Sequence, residues 1–237
     1  MNQTQLISQK LTCLFETGEP KLSVASVENL DDGRGYTCGW AGFTTADEEV
    51  VRCVEEYSRL VPTNNLEPML EELRHLQDEG SDDVSKLDEM NFPTHWKNAA
   101  STQEFQHAYA SVVERIFGQP AQEHIDDLGL KLPVAYAILF DSVIQHGNDD
   151  DPDGLPALIE QTISNAGKPS EDNEKVWLLA FLEVRENTLK HPHNHDTAAE
   201  WRESVSRVEA LVNIVNDNPG LEIPVQVTSS EHDEEIS

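Results

Sequence analysis

The sequence predicts a mainly α-helical protein with one small β region near its N-terminal end. Most of the chain carries apolar residues at spacings of three and four, which is typical of amphipathic helices. The exception is the stretch 27–45, where Asp32-Gly33 and Gly35 interrupt short runs of strand-forming residues in a hairpin-like pattern. A chain of 237 residues can bury a substantial core, so we expect one independently folding domain.

The first helix is predicted over residues 3–16, and Gly18 with Pro20 ends it. Glu16 therefore lies at a helix C-terminus, where the helix dipole disfavours a negative charge. Such a position favours a protonated carboxyl, which is what a general acid requires. The apolar positions that define this helix are Leu6, Ile7, Leu11, Leu14 and Phe15.

Helical patterns return after the β region. They cover residues 50–61, 66–76 and 102–117, and the intervening segments DEGSDD and NFPTH are predicted to be loops. After Pro219 a short extended segment, LEIPVQV, leads into an acidic end. We expect residues 226–237 to form a mobile tail.

Residues 132–147 are apolar nearly all round, which predicts a central buried helix. Asp141 is the exception within it. An unpaired buried charge costs several kcal/mol, so this carboxylate must be paired or neutral. Its candidate partners are arginines on two other apolar helical segments, Arg185 and Arg202.

The charge balance limits the possible partners. The chain has 45 Asp and Glu against 16 Lys and Arg, a formal net charge of −29. Such a field repels nucleic acid and attracts polycations, although it is also what a highly soluble protein needs. No apolar run is long enough to cross a membrane, and no signal-peptide pattern opens the sequence.

The three cysteines, Cys13, Cys38 and Cys53, are too few and odd in number for a disulfide framework.

Three motifs suggest binding sites, and each has a simpler interpretation. GRGYTCG lacks the glycine spacing of a phosphate-binding loop and fits a structural hairpin better. Residues 149–160 match a calcium-loop template at Asp149, Asp151, Asp153, Gly154 and Glu160. The sequence contains no second such loop to pair with it. A helix cap or an acidic cleft rim is the simpler interpretation. HPHNHD, residues 191–196, has alternating histidines without a metal-binding partner motif, and Asp196 or Thr197 is the better candidate for a helix cap, with Glu200 near the capping-box position.

A pair of carboxyls offers another chemistry. Glycosidic hydrolysis needs one protonated carboxyl for the leaving oxygen and one carboxylate that activates water or attacks carbon. Glu16 at an apolar helix end and Asp32 on a polar hairpin have this asymmetry. A long helix followed by a small sheet and more helices is also the layout of lysozyme-like enzymes.

Four long motifs make the chain resemble the glycoside hydrolase family 46 chitosanases of bacteria, from about residue 5 to about residue 225. They are LFETG, ENLDDGRGYTCGWAGFTT, LFDSVIQHGNDDDPDGLPALI and NHDTAAEWRESVSRV. The resemblance implies a lysozyme-like α+β fold, with two helical lobes around a substrate cleft in a single catalytic domain, residues 1–237. The minor lobe would cover about 17–115, including the hairpin, and the major lobe would combine helix 3–16 with about 116–225.

The resemblance also implies roles for individual residues. Glu16 corresponds to the general acid, Asp32 to the general base and Thr37 to the threonine that helps hold the attacking water. The residues that support the catalytic cleft would be Arg34, Asp141, Arg185 and Arg202. The residues that bind substrate would be Glu49, with Asp47 or Glu48 as alternatives, and His146 and Asp150.

The expected activity is internal hydrolysis of the β-1,4 linkages of chitosan with inversion at the anomeric carbon. We expect a monomer that binds chitosan and glucosamine oligosaccharides, without metal, cofactor, nucleic acid or membrane, and the resemblance implies a secreted, extracellular protein. The alternative from another class is a non-enzymatic acidic protein that binds calcium or a polycation.

Overall fold

The computed structural model describes residues 2–194 and 198–237. It divides into two compact units. The first unit joins the segment that ends at Pro20 to Phe117–Ser237, and the second unit is the continuous segment Lys21–Ile116. The expected capping residues Asp196 and Thr197, together with His195, lie outside the described residues.

The first unit is built around one buried helix. Its helices are α1 (Gln3–Thr17), α7 (Gln119–Leu128), α8 (Pro133–His146), α9 (Leu155–Ala166), α10 (Glu174–Lys190), α11 (Ala198–Glu203) and α12 (Val205–Asp217). Helix α8 is buried along nearly its whole length, as its apolar sequence predicts, and it packs against α1, α7, α9 and α12. Asp141 therefore lies at the centre of the unit, where its exposed fraction is 1%.

Helix α1 forms where the sequence predicts it. Asn2 and Gln5 form a reciprocal capping box at its start, and the left-handed Gly18 ends it by donating its N–H to the carbonyl of Leu14 at 2.8 Å. The buried face of α1 packs on α8. This contact fixes the C-terminal turn of α1, which carries Glu16.

The end of the chain is ordered in the structure, in contrast to the mobile tail expected from its acidic sequence. Strands β4 (Val225–Thr228) and β5 (Asp233–Ile236) pair antiparallel, with Val225 opposite Ile236. Val225, Val227 and Ile236 are buried, and the hairpin packs against α12 and α1. In β4 the buried valines alternate with exposed Gln226 and Thr228, and Ile236 of β5 lies opposite Val225, so the hairpin has one apolar buried face.

The second unit contains the predicted β region. Strands β1 (Val27–Asn29), β2 (Tyr36–Cys38) and β3 (Phe43–Thr44) form an antiparallel sheet in this order. Asn29 pairs with Tyr36, so the turn between β1 and β2 spans residues 30–35. This turn carries Asp32.

Helices surround the sheet of the second unit. They are α2 (Glu48–Leu60), a 3-10 turn (Glu67–Met69), α3 (Leu70–Glu79), α4 (Ser85–Glu89), α5 (Phe92–Ala100) and α6 (Gln103–Val113), and a π-helical turn (Glu114–Gly118) follows α6. The prediction of a loop at NFPTH is wrong, because Asn91 caps α5 and the following four residues are its first turn. Its proline stands at the second helical position, where the missing N–H costs nothing.

An aromatic cluster fills the core of the second unit. Trp96 of α5 contacts Phe92 and Phe105, and its indole N–H donates to the Val24 carbonyl at 2.9 Å. Across the described ranges, none of the helices is both long and apolar enough to cross a membrane. Cys13, Cys38 and Cys53 are all buried, and no disulfide joins any two of them.

Candidate active site

Glu16 lies in the last turn of α1 and forms an ion pair. Its side chain is 35% exposed, and its Oε1 accepts a hydrogen bond from Nη2 of Arg207 at 2.6 Å. The guanidinium of Arg207 is 5% exposed and lies 5.7 Å from the ring centroid of Phe15. The ion pair with Arg207 therefore fixes where the Glu16 carboxyl lies at the end of α1.

Arg207 also links Glu16 to the buried charge of α8. Asp141 Oδ2 accepts a hydrogen bond from Arg185 Nη2 at 2.5 Å, and Asp141 Oδ1 lies 3.7 Å from Arg207 Nη1. Burial alone would raise the pKa of Asp141, but the charges of Arg185 and Arg207 hold that pKa below its ordinary value. The predicted pairing of Asp141 with Arg185 is confirmed.

The prediction that Arg202 also pairs with Asp141 is wrong. Arg202 is an exposed residue of α11. Its Nε donates to the carbonyl of Lys190 at 3.2 Å and not to Asp141. The correct partner is Arg207 on α12. A signal in the sequence could have identified it, because Arg207 stands four and seven residues before the apolar Leu211 and Ile214 and so shares their buried helix face.

His146 belongs to the same network, and both of its ring nitrogens have partners in the protein. Its Nε2 accepts from Arg185 Nε at 3.2 Å, and its Nδ1 lies 2.9 Å from the carbonyl oxygen of Asp153, to which it donates. The residue is 8% exposed, and burial together with Arg185 lowers the pKa of His146 to about 3. The neutral imidazole therefore supports Arg185, and substrate binding by His146 stays a prediction.

The calcium-like loop is held together by protein groups. The buried carboxylate of Asp153 accepts hydrogen bonds from the backbone N–H groups of His193 and Asn194, at 2.8 and 3.0 Å, and it pairs with the His193 ring. The side chain of Asp151 accepts from the N–H of Asp153 at 2.8 Å. Asp153 thus fixes the loop before α9 to His193 and Asn194, and Asp151 stabilises the loop itself. In the parts of the chain that the structure describes, no group of three or more His, Cys, Asp or Glu side chains could hold a metal ion.

Asp32 lies in the turn between β1 and β2. Its Oδ1 accepts from the backbone N–H of Arg34, and its Oδ2 accepts from Arg34 Nε and Nη2 at 3.1 and 2.7 Å. Desolvation would raise the pKa of Asp32, but the hydrogen bonds and charge of Arg34 outweigh it and hold the pKa below its ordinary value. Asp32 is thus an ionised carboxylate with a fixed orientation and a 26% exposed side chain.

Thr37 follows on β2, paired with Thr44 of β3. Its Oγ1 is buried, and the described residues offer it no hydrogen-bond partner. A buried hydroxyl without a partner costs about 1–3 kcal/mol, so this oxygen is suited to hold a water molecule or a ligand hydroxyl.

The three acidic residues at the start of α2 differ in their contacts. Asp47 Oδ2 accepts from Thr44 Oγ1 at 2.6 Å, and Glu48 pairs with Arg52 at 2.6 Å. Glu49 is partly buried, its Oε2 has no partner among the described residues, and desolvation followed by the charges of Asp47 and Glu48 raises the pKa of Glu49 to about 7. Of the three, Glu49 is the carboxyl available for a cationic ligand. Asp150 is exposed in the loop between α8 and α9.

A mainly helical fold with a small antiparallel sheet of this kind is the lysozyme-like fold of glycoside hydrolases. The native chitosanase of Bacillus subtilis MY002 superposes with a TM-score of 0.90 at 44% identity over 100% of both chains. A chitosanase of Gynuella sunshinyii, in complex with chitotetraose, superposes with a TM-score of 0.89 at 33% identity over 100% of this chain and 98% of that one.

The sequence comparisons give the family. The model of glycosyl hydrolase family 46 matches residues 10–225. A chitosanase of Bacillus subtilis strain 168 is 46% identical over 228 residues, which are 95% of this chain and 82% of that protein. A chitosanase of a Streptomyces species, strain N174, is 29% identical over 72% of this chain and 60% of that protein. The chain therefore belongs to glycosyl hydrolase family 46.

Proposed function

We propose that the protein is a chitosanase that hydrolyses internal β-1,4 linkages between glucosamine residues with inversion at the anomeric carbon. The observation that carries the proposal is that each of the two carboxyls on the family motifs is held by an arginine. Arg34 keeps Asp32 ionised in the turn between β1 and β2, as a base requires, and Arg207 orients Glu16 in the last turn of α1 at 2.6 Å. The named activities of the relatives support this choice, as does a variant of the Bacillus subtilis MY002 chitosanase complexed with six glucosamine units.

In the proposed reaction Glu16 donates its proton to the glycosidic oxygen as the bond to the anomeric carbon breaks. Asp32 removes a proton from a water molecule whose oxygen attacks that carbon from the opposite face. Thr37 Oγ1 forms a hydrogen bond with that water, since it has no partner among the described residues of the protein. Each turnover leaves Glu16 ionised and Asp32 protonated, and exchange with solvent restores both.

The substrate is a polycation under mildly acidic conditions. Glu49, with Asp47 and Asp150 as further acidic groups, would bind its ammonium groups, and Glu49 becomes a better acceptor when a cation favours its carboxylate form. Because the substrate is a long polymer, an extracellular location fits this function.

The test is the anomeric form of the products. NMR of a glucosamine hexamer during hydrolysis should show the α-anomer first, because the β linkage is inverted. A first product in the β form would contradict inversion, and no hydrolysis would contradict the proposed activity.

Two matched pairs of variants test the assigned roles. We expect Glu16→Gln and Asp32→Asn to fold and to lose at least about a thousandfold in kcat. Glu19→Gln and Asp31→Asn remove a neighbouring exposed carboxylate and should keep activity within about twofold. Equal activity within either pair would overturn the role of the first residue.

A further inference from the structure

The C-terminal hairpin, residues 225–236, is placed against the groups that hold Glu16. The family model ends at residue 225, so its match does not include most of this hairpin. Three residues of α12 contact the hairpin: Ser206 Oγ donates to Glu231 at 2.6 Å, Glu209 accepts from the N–H of Ser230 at 2.8 Å, and Asn213 donates to the carbonyl of Thr228 at 2.8 Å.

These three positions are spaced by three and four residues, so they form one face of α12. The residue that follows Ser206 is Arg207, the partner of Glu16. The hydrogen bond from Ser206 to Glu231 therefore fixes the first turn of α12 at the position from which the Arg207 guanidinium extends. Its 5% exposure shows how little room that guanidinium has to move.

The hairpin also contacts α1 beside Glu16. The ring of His232 meets the ring of Phe15 edge to face, with 5.3 Å between centroids and an interplanar angle of 76°. His232 is itself held by Ser229, whose Oγ lies 2.9 Å from its Nδ1. Phe15 precedes Glu16 in the chain and also lies under the Arg207 guanidinium. At the other end of the hairpin, Lys10 Nζ donates to the carbonyl of Ser237 at 2.6 Å.

From these contacts we propose that Glu231 and His232 are positioning residues for the general acid. Glu231 acts through Ser206 on Arg207, and His232 acts through Phe15, so that both members of the Glu16–Arg207 ion pair are fixed from the same hairpin. This inference rests on the proposed role of Glu16. A carboxyl that must aim its proton at one oxygen loses rate steeply when its position is loosened.

The experiment compares substitutions within this hairpin. We expect Glu231→Ala combined with His232→Ala to lower kcat roughly tenfold and to change KM by less than about twofold, because the groups proposed to bind the substrate ammonium are elsewhere. Glu231→Gln combined with His232→Phe keeps an acceptor for Ser206 and a ring against Phe15, and should restore kcat to within about twofold. All variants are assayed well below their unfolding midpoints.

The matched control is Glu235→Ala. It removes one carboxylate from the same hairpin, but Glu235 accepts only from the neighbouring strand, from Gln226 at 2.7 Å, in the bonds that the structure describes. Its kcat should equal that of the unmodified protein. The proposal is overturned if the double alanine variant keeps kcat within twofold, or if Glu235→Ala loses as much.

A second readout separates this inference from the proposed function. The NMR signal of the Arg207 Nε–H should shift in the double alanine variant and stay unchanged in Glu235→Ala. If Glu16→Gln retained full activity, the proposed acid role of Glu16 would fail, and the Arg207 signal would still report whether the hairpin holds the ion pair. An unchanged Arg207 signal in the double alanine variant would contradict the positioning role.

Discussion

Glu49 is a partly buried carboxyl whose proton should influence the stability of the protein. Its folded-state pKa of about 7 lies above the ordinary value of 4.5, so between these pH values the folded protein binds the proton more tightly than the unfolded chain does. The contribution of Glu49 to stability is therefore present at low pH and is lost as pH rises through that window.

We expect Glu49→Gln to have the stability of the unmodified protein near pH 4 and to exceed it by about 1–2 kcal/mol at pH 8, with allowance for partial exposure. Urea unfolding at the two pH values measures this difference. Glu55→Gln is the control, because its carboxylate lies further along α2, is paired with Arg74 at the surface and is not among the groups that raise the pKa of Glu49. A gain of equal size at both pH values would contradict the raised pKa.

Asp141 presents the opposite case, a buried carboxylate that two arginines keep ionised. Asp141→Asn leaves the charges of Arg185 and Arg207 buried without their partner. We expect it to lower the free energy of unfolding by about 3–5 kcal/mol, measured by denaturant unfolding at neutral pH. Arg202→Ala, at an exposed position, should change it by less than about 0.5 kcal/mol. A small loss in Asp141→Asn would mean that the arginines find other partners.

The sequence allowed part of this network to be predicted, for a physical reason. A lone aspartate in an apolar helix must have a cationic partner, and this requirement led to Arg185. The same requirement led to Arg202 in place of Arg207, because the sequence pattern indicates one helix where the chain divides at Ser204 into α11 and α12. The roles of Glu16 and Asp32 came from family motifs, since an acidic chain offers many other pairs of carboxyls.

At the scale of an element, the turn between β1 and β2 tolerates a side chain less well at Gly35 than at Gly33. Gly35 has a φ of +72°, and a Cβ there would lie 2.3 Å from Thr45 Oγ1, which is the acceptor for the N–H of Tyr36. Gly33 also has a positive φ, of +83°, but a Cβ there would meet nothing within 4 Å.

We therefore expect Gly35→Ala to destabilise the protein by more than about 2 kcal/mol and Gly33→Ala by only about 1 kcal/mol, the cost of the left-handed backbone alone. Thermal unfolding followed by circular dichroism measures both. Equal losses of stability in the two variants would show that Thr45 moves away from the added Cβ without an energetic cost.

Elements with a strong local signal were the predictable ones. The Asp-Gly turn predicted the hairpin, and the all-apolar pattern predicted α8. Helix α5 was missed because a proline near its start was read as a loop signal, and the ordered hairpin at the C-terminus was missed because its carboxylates concealed three buried apolar residues. The hairpin is stabilised by packing against α1 and α12, which local patterns do not contain, whereas the start of α5 follows the local rule that a first helical turn accepts proline.

At the scale of the whole molecule, the net charge of −29 should be measurable in the kinetics. Salt screens the attraction between this charge and a cationic substrate over a Debye length of about 10 Å at 0.1 M. We expect KM for chitosan to rise several-fold between about 20 mM and 500 mM NaCl, with a much smaller fall in kcat. A more acetylated chitosan carries fewer charges and should show a weaker dependence. A constant KM would contradict electrostatic attraction.

The ion pair between Glu16 and Arg207 joins residues 191 positions apart in the chain. A ribosome that adds about 5–20 residues per second needs roughly 10–40 s to travel this distance. During that interval α1 has been synthesised but lacks its partners, whereas the continuous segment 21–116 can already acquire its own core. Glu16 is therefore made well before the residue that fixes its carboxyl, so the proposed acid acquires this part of its surroundings only after all the residues between the two have been synthesised.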